Sequence, residues 1–217
     1  MTPKELQIMI KDYNKWISWL RERQIDNNLT FRFDSQLNYY KHWNPYANIH
    51  VIRDVWYYYK RFVKLARSIG AKRIMDHGCA FGVGSWIMAV YGFDVTGVEI
   101  IPEFISIGKK LFEEVKFVQA YEGKDLEVDG KFDLVLNCFS QRTITEKTIQ
   151  FYSKYSDTCA HIIEGPHKIE VPGRYVDNLT YITSPKYVVR SYSMRYYLHT
   201  LLRNSILRSL RKVSNTG

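Results

Sequence analysis

Apolar residues recur at helical spacing along the first part of the chain. Between residues 3 and about 24, Leu6, Met9, Ile10, Tyr13, Ile17 and Leu20 fall on one stripe, which predicts an amphipathic helix. The polar break Asp26-Asn27-Asn28 follows, then an aromatic, irregular stretch from Phe31 to Tyr46 with Asn44-Pro45 as a turn signal. A second helix is predicted over His50 to Ser68. It closes at Gly70, where a left-handed cap suits glycine.

From Lys72 the period shortens. Arg73-Ile74-Met75-Asp76, Phe93 to Ile100, Val115 to Ala120, Phe132 to Asn137 and Ala160 to Glu164 read as short strands. Between them, Ser85 to Tyr91, Pro102 to Glu114 and Thr145 to Ser156 read as helices, the second with proline in its first turn. Strands alternating with helices imply βαβ units and a largely parallel α/β sheet covered on both faces. Tyr181-Ile182 and Tyr187-Val188-Val189 are candidate closing strands. Arg195 to Val213 places Leu198, Leu202, Ile206, Leu210 and Val213 at helical spacing.

With 217 residues, 46% hydrophobic and 24% charged, the chain suits one globular domain or a domain with an N-terminal addition. Its 31 basic residues against 22 acidic ones favour an anionic partner: nucleic acid, an acidic membrane surface or a small anionic substrate. Much of the excess lies late in the chain, where no Asp or Glu follows Asp177 while Lys186, Arg190, Arg195, Arg203, Arg208, Arg211 and Lys212 accumulate. A basic amphipathic helix there could meet phosphates or a membrane, or simply pack on the domain with a solvated face. Cys79, Cys138 and Cys159 sit in apolar runs without a CxxC or Cys/His cluster, so they are expected to be buried reduced thiols, with no disulfide framework and no metal site. The N-terminus lacks a signal-peptide layout, and no apolar run reaches bilayer length, so the expected location is cytoplasmic.

The informative chemistry is Asp76-His77-Gly78-Cys79-Ala80-Phe81-Gly82-Val83-Gly84, a glycine-rich turn between a strand and a helix, where the backbone can approach a ligand closely. Seventeen residues after Gly82, at the end of the next strand, stands Glu99, a carboxylate able to accept ribose hydroxyls. These residues resemble the class I S-adenosylmethionine-dependent methyltransferases, whose first motif runs acid-x-Gly-x-Gly-x-Gly. Asp76, Gly78 and Gly82 match it, and Ala80 replaces the middle glycine. Val95-Thr96-Gly97-Val98-Glu99 resembles the family's second strand and ribose-binding acid; Phe117 to Ala120 and Lys131 to Leu136 resemble its third and fourth strands.

The resemblance covers about residues 50 to 165. It implies a three-layer Rossmann-like methyltransferase sheet, mostly parallel and of about seven strands, with an N-terminal helical addition. On that reading residues 1–49 are a helical or lid segment, 50–192 the cofactor-binding domain, and 193–217 a basic helix and tail. S-adenosylmethionine is the implied cofactor. A leading acid such as Asp76 would repel a dinucleotide's pyrophosphate but suits a cationic sulfonium with an amino-acid tail. The resemblance implies that Gly78, Cys79, Ala80 and Gly82 line that cofactor, with Ile100, Ala120 and Tyr121 around the adenine and Asn137 near the methyl. Tyr121 stands where an acid commonly reaches the adenine amine; Glu122 or Asp125 could substitute, or Tyr121 could stack.

Ligands of such sheets bind at the carboxyl ends of the strands. Ser140 and Arg142, after the fourth strand, are therefore candidate substrate residues. Glu164 and His167, after the fifth, are candidate catalytic residues, with His167 the candidate base because a neutral imidazole can take a proton near pH 7. The plainer alternatives are a helix cap for Glu164 and an ordinary loop histidine for His167. Tyr39, Tyr40, His42 and Trp43 could close over the site as a substrate-binding lid, or be ordinary helix packing. The segment Asn137-Cys138-Phe139-Ser140 is unlike the Asn-Pro-Pro-Tyr of base-modifying DNA or protein-glutamine enzymes, and no Lys-Asp-Lys-Glu set of a ribose 2′-hydroxyl enzyme is recognisable. The expectation is methyl transfer to an oxygen or nitrogen of a small molecule, an anionic one being among the candidates. The alternatives are an RNA- or tRNA-directed enzyme docked through the basic C-terminal region, and a non-catalytic scaffold that binds the cofactor.

Overall fold

The computed structural model describes residues 1–22, 50–121, 124–138, 140, 144–162, 173–175 and 180–183. The elements in order are α1 (Pro3–Lys11), α2 (Tyr13–Glu22), α3 (His50–Ser68), β1 (Arg73–His77), α4 (Val83–Val90), β2 (Asp94–Glu99), α5 (Pro102–Leu111), β3 (Lys116–Gln119), β4 (Leu134–Cys138), α6 (Glu146–Ser153), β5 (Cys159–Ile162), β6 (Arg174–Tyr175) and β7 (Thr180–Thr183). The sheet runs β3-β2-β1-β4-β5-β7-β6. β1 to β5 are mutually parallel and β7 pairs antiparallel with β5 and with β6. The strand order reverses between β1 and β4, and in open α/β sheets a crevice opens at such a point, outside the carboxyl ends of the strands.

The helix expected over residues 3–24 is two helices. Thr2 and Glu5 form a capping box that starts α1, the Thr2 N–H donating to Glu5 Oε2 (2.7 Å) and the Glu5 N–H to Thr2 Oγ1 (3.3 Å). Asp12 interrupts with extended backbone (φ −124°, ψ 103°). Its Oδ1 then accepts from the N–H groups of Asn14 (3.1 Å) and Lys15 (3.4 Å), capping α2. Hydrophobic spacing survives the break, which is why the period alone does not reveal it. The strand expected at 181–182 is β7. The two-residue β6 carries too little pattern to be read from sequence, and residues 187–189 and 193–217 lie outside the described residues.

β1 divides the core by alternation. Ile74 belongs to a large cluster with Leu6, Phe62, Trp86 and Phe112, which joins α1, α3 and α4 to one face of the sheet. Within it Trp16 stacks on Trp19 (5.2 Å between ring centres), Trp19 lies 4.9 Å from Trp86, and Trp86 stacks on Phe112 at 5.2 Å. Met75 faces the other side, in a smaller cluster with Val98, Val135, Tyr152 and Tyr155, covered by α6. Asp76 and His77 continue the same alternation at the strand's end, so the acid points towards α3 and α4 and the imidazole towards α6.

Candidate functional site

A cavity of about 890 Å³ opens at the carboxyl ends of β1, β2 and β4. Its floor is the turn after β1. Gly78 (φ 72°), Ala80 (φ 50°) and Gly82 (φ 85°) all adopt left-handed backbone, an alternation that coils the chain tightly before α4. The N–H groups of Gly78 (2.7 Å) and Cys79 (3.1 Å) donate to the Val98 carbonyl, tying the turn to β2. Ser140 lies against Gly78 so closely that a Cβ there would sit 2.1 Å from Ser140 Cβ. Ala80, in the middle position, carries its methyl into a conformation that costs an L-residue roughly 1–2 kcal/mol.

Glu99 stands at the cavity wall, 7% exposed. Oε1 accepts from the N–H groups of Ile100 (2.8 Å) and Ile101 (3.1 Å), and Oε2 from that of Ala80 (2.9 Å). A carboxylate offers about four acceptor positions. One is left for a ligand hydroxyl, and a second hydroxyl requires the Ala80 N–H to yield. Beside it Ile100 (55% exposed) and Tyr121 (56%) present apolar surface, and Ala120 is also on the wall. Tyr121 donates to Gln119 Oε1 (3.1 Å), and the Lys124 ammonium lies 5.4 Å from its ring centre. Asp125, a candidate partner for an adenine amine, is instead paired with Lys154.

Three of the residues expected at the cofactor stand back from the cavity wall. Asp76 is fully buried and is not part of the cavity wall. The Tyr59 hydroxyl, from α3, donates between its two oxygens (2.8 and 2.9 Å), and the Ser85 hydroxyl, from α4, donates to Oδ2 at 2.6 Å. Burial raises its pKa to about 6 against the opposing pull of those two donors. Tyr59 itself lines the cavity, so the acid reaches that space through a phenol. Gly82 is likewise off the wall: it starts α4 and leaves room for Phe117, whose Cζ would lie 2.4 Å from a Cβ. Asn137 is fully buried behind Ser140. Its Oδ1 accepts from the Ser140 hydroxyl (2.6 Å), and its amide donates to His161 Nδ1 (3.2 Å). His161, its pKa driven down to about 3 by burial, is neutral and hands the Nε2 proton to Thr183 Oγ1 (2.9 Å). A line of hydrogen bonds thus runs from the turn across β4 and β5 to β7.

The other residues expected to line the cofactor, Gly78, Cys79, Ala80, Ile100, Ala120 and Tyr121, are on the cavity wall together with Ser140. His167, Glu164, Glu122, Arg142, Tyr39, Tyr40, His42 and Trp43 lie outside the described residues. Cys138 lines the cavity, but burial raises its thiol pKa well above the ordinary range, as it does for Cys79, which makes both poor nucleophiles.

The cavity also holds residues that motif reading does not single out. Tyr58 and Tyr59 arrive from α3, within a run of three tyrosines whose helical phase shows that only some face inwards. His77, inside the glycine-rich run, belongs to the α6 side. The Tyr152 hydroxyl lies 3.1 Å from its Nδ1, and Phe151 meets its ring edge-on at 5.7 Å. Burial takes the His77 pKa down to about 4, so the ring is neutral near pH 7. Lys147 and Phe151 of α6 and Lys154, at its C-cap, complete that wall.

Among the described residues no helix is long and apolar enough to cross a membrane, and no cluster of three metal-ligating side chains occurs. No protein-family model matches the chain, and no curated protein is a detectable relative. Solved structures similar to it include a protein of Thermoplasma acidophilum (20% identity, 49% of this chain and 59% of that one, TM-score 0.41). Another is an S-adenosylmethionine-dependent methyltransferase of Clostridium acetobutylicum (16% identity, 57% and 58%, TM-score 0.46). A third is the N-terminal domain of EvdMO1 with S-adenosylhomocysteine bound (15%, 59% and 66%, TM-score 0.40). The chain thus spans less than two thirds of the length of each of these proteins.

Proposed function

We propose that the chain is an S-adenosylmethionine-dependent methyltransferase acting on an oxygen or nitrogen of a small molecule. The observation that carries this reading is Glu99, a carboxylate set by three backbone N–H groups at the cavity wall, directly beside the left-handed turn. A ribose hydroxyl matches its remaining acceptor position. The exposed faces of Ile100 and Tyr121 suit a purine, which stacks on flat or branched apolar surface. The Tyr59 oxygen, its proton committed to Asp76, is an acceptor suited to an ammonium group.

When bound, the cofactor would supply a methyl group activated by a sulfonium, which leaves as a neutral thioether as the methyl bonds to the acceptor. The chain's own work is then mainly positioning. Ser140 packs on Gly78, which keeps the floor rigid, and His77 with Tyr152 offers an uncharged polar edge to an acceptor. With its pKa near 4, His77 is a weak base at pH 7. His167 is the proposed base where an acceptor must lose a proton, with Glu164 orienting it. A pH profile of turnover by His167→Ala that keeps the wild-type limbs would remove that assignment. Arg142 and the aromatic segment of Tyr39, Tyr40, His42 and Trp43 are proposed to contact the acceptor.

Calorimetry with S-adenosylmethionine, on the native chain and on Glu99→Ala, tests the cofactor assignment. The expected result is micromolar binding that weakens at least tenfold, about 1.4 kcal/mol, in the variant. Equal affinity in both proteins would defeat it.

A further inference from the structure

We infer that the α6 side of the cavity seats the methyl acceptor and selects a small acid, an apolar or flat body carrying one carboxylate or phosphate. The inference rests on the cofactor reading above and names its substrate class.

Room is the first consideration. Sites for one small ligand occupy roughly 300–1,000 Å³, and this cavity, about 890 Å³, lies near the top of that range. It can take a nucleoside cofactor over Glu99 and a second molecule beside it. The residues around Glu99, Ile100 and Tyr121 serve the first, so the second falls to α6.

The α6 wall has a defined pattern. Lys147, Phe151 and Lys154 stand at i, i+4 and i+7, which puts them on one side of the helix, and all three line the cavity. The two lysine positions are two turns apart, about 10 Å along the axis, with an aromatic ring between them. At the foot of this wall His77 and Tyr152 are paired with each other and carry no charge that would compete with a ligand. An apolar body lies well on Phe151, and an anionic group then falls within reach of an ammonium.

Charge supplies the selection. Among the described residues the cavity wall holds three lysines, Lys124, Lys147 and Lys154, and two carboxylates, Glu99 and Asp125. Both carboxylates are engaged, Glu99 by backbone N–H groups and Asp125 by Lys154. Lys147 has no acidic partner among the described residues. With Lys154 and Asp125 offsetting each other, the wall carries a net single positive charge; a sulfonium cofactor adds another, so an anion entering the loaded cavity is attracted and a cation repelled. The lysines ring a concave space instead of tracking an open strip, which favours a small acid over a polyanion.

The test uses the full chain saturated with S-adenosylhomocysteine and titrated with benzoate, phenyl phosphate and benzamide, the last an uncharged match for benzoate. At least one of the two anions should bind tenfold or more tightly than benzamide, and which of them is tighter names the headgroup. Lys147→Gln alters an exposed side chain on the first turn of α6. It should weaken that anion at least fivefold and leave S-adenosylhomocysteine binding unchanged. Benzamide matching both anions, or anion affinity indifferent to Lys147→Gln, overturns the inference while leaving the cofactor reading intact. A single-stranded RNA that displaces phenyl phosphate, with log affinity falling steeply against log salt, overturns it in favour of a nucleic-acid substrate. Failure of the wild-type chain to bind S-adenosylhomocysteine takes both readings down together.

Discussion

The Tyr59 hydroxyl bridges both oxygens of Asp76 across the join between α3 and β1, at 2.8 and 2.9 Å. The tyrosine ring fits only because Gly84 has no side chain: a Cβ there would lie 2.1 Å from the ring. Tyr59→Phe removes one of the two side-chain hydroxyls that hold a buried carboxyl. The expected loss is about 1–3 kcal/mol, the cost of an unsatisfied buried polar group, read from denaturant unfolding at pH 7. The same variant should weaken S-adenosylhomocysteine and leave 5′-methylthioadenosine, which has no amino-acid tail, unchanged. Equal losses for the two ligands would mean that Tyr59 acts only on the fold.

Stability should fall on acidification through the window set by the histidines. His77 and His161 have folded pKa values of about 4 and about 3, below the ordinary 6.5, so the unfolded chain binds more protons between those limits and stability rises with pH there. Asp76 works the other way. Its folded value of about 6 exceeds 3.8, so between these limits the folded chain holds the extra proton and stability falls as pH rises. A tenfold difference in proton affinity between the folded and unfolded chain is worth about 1.4 kcal/mol, and two histidines outweigh one carboxyl. Urea midpoints should therefore drop from pH 6.5 to pH 4, and less steeply in His161→Gln. A midpoint that climbs over that interval would contradict the burial of both imidazoles.

The two small residues of the turn should respond oppositely to exchange. Gly78→Ala meets Ser140 at 2.1 Å with backbone at φ 72°, so it should abolish ligand binding or folding, and Ser140→Gly should relieve only part of the damage because the left-handed backbone remains. Ala80→Gly releases roughly 1–2 kcal/mol of backbone strain. It also gives the unfolded chain more freedom, worth about 0.4–1 kcal/mol. The thermal midpoint should stay level or rise slightly, and a drop of several degrees would show that the Ala80 methyl makes a contact of its own.

Trp16→Ala should cost about 3–5 kcal/mol, the usual range for a deleted core aromatic. The ring is fully buried and stacks on Trp19, which touches Trp86 and Phe112. Chemical unfolding monitored by fluorescence should show one transition shifted as a whole, because α2 shares its cluster with α4.

How far the chain can be read without its structure follows physical range. The strands from β1 to β4 and the turn after β1 announce themselves through period and glycine, which act over a few residues. Glu99 is legible because one βα unit carries it back to the turn. The setting of Asp76 is not legible locally because it is made by Tyr59, seventeen residues earlier on another element, and no local pattern records that meeting. His77 escapes notice for a similar reason: its partners, Tyr152 and Phe151, come from α6. Asp12 is recognisable in principle, since an acid two and three positions before Asn14 and Lys15 is a helix-start signal, but a continuous apolar stripe conceals it.

The line from Ser140 through Asn137 and His161 to Thr183 also limits how the protein can change over generations. Every link uses its proton in a fixed direction, so replacing Thr183 by valine would strand an imidazole N–H, and replacing His161 by leucine would remove the middle of the series. Apolar exchange is tolerable only if the whole series changes at once. A strand at the far side of the sheet therefore has a say in which residues can survive beside the glycine floor, although it never touches it.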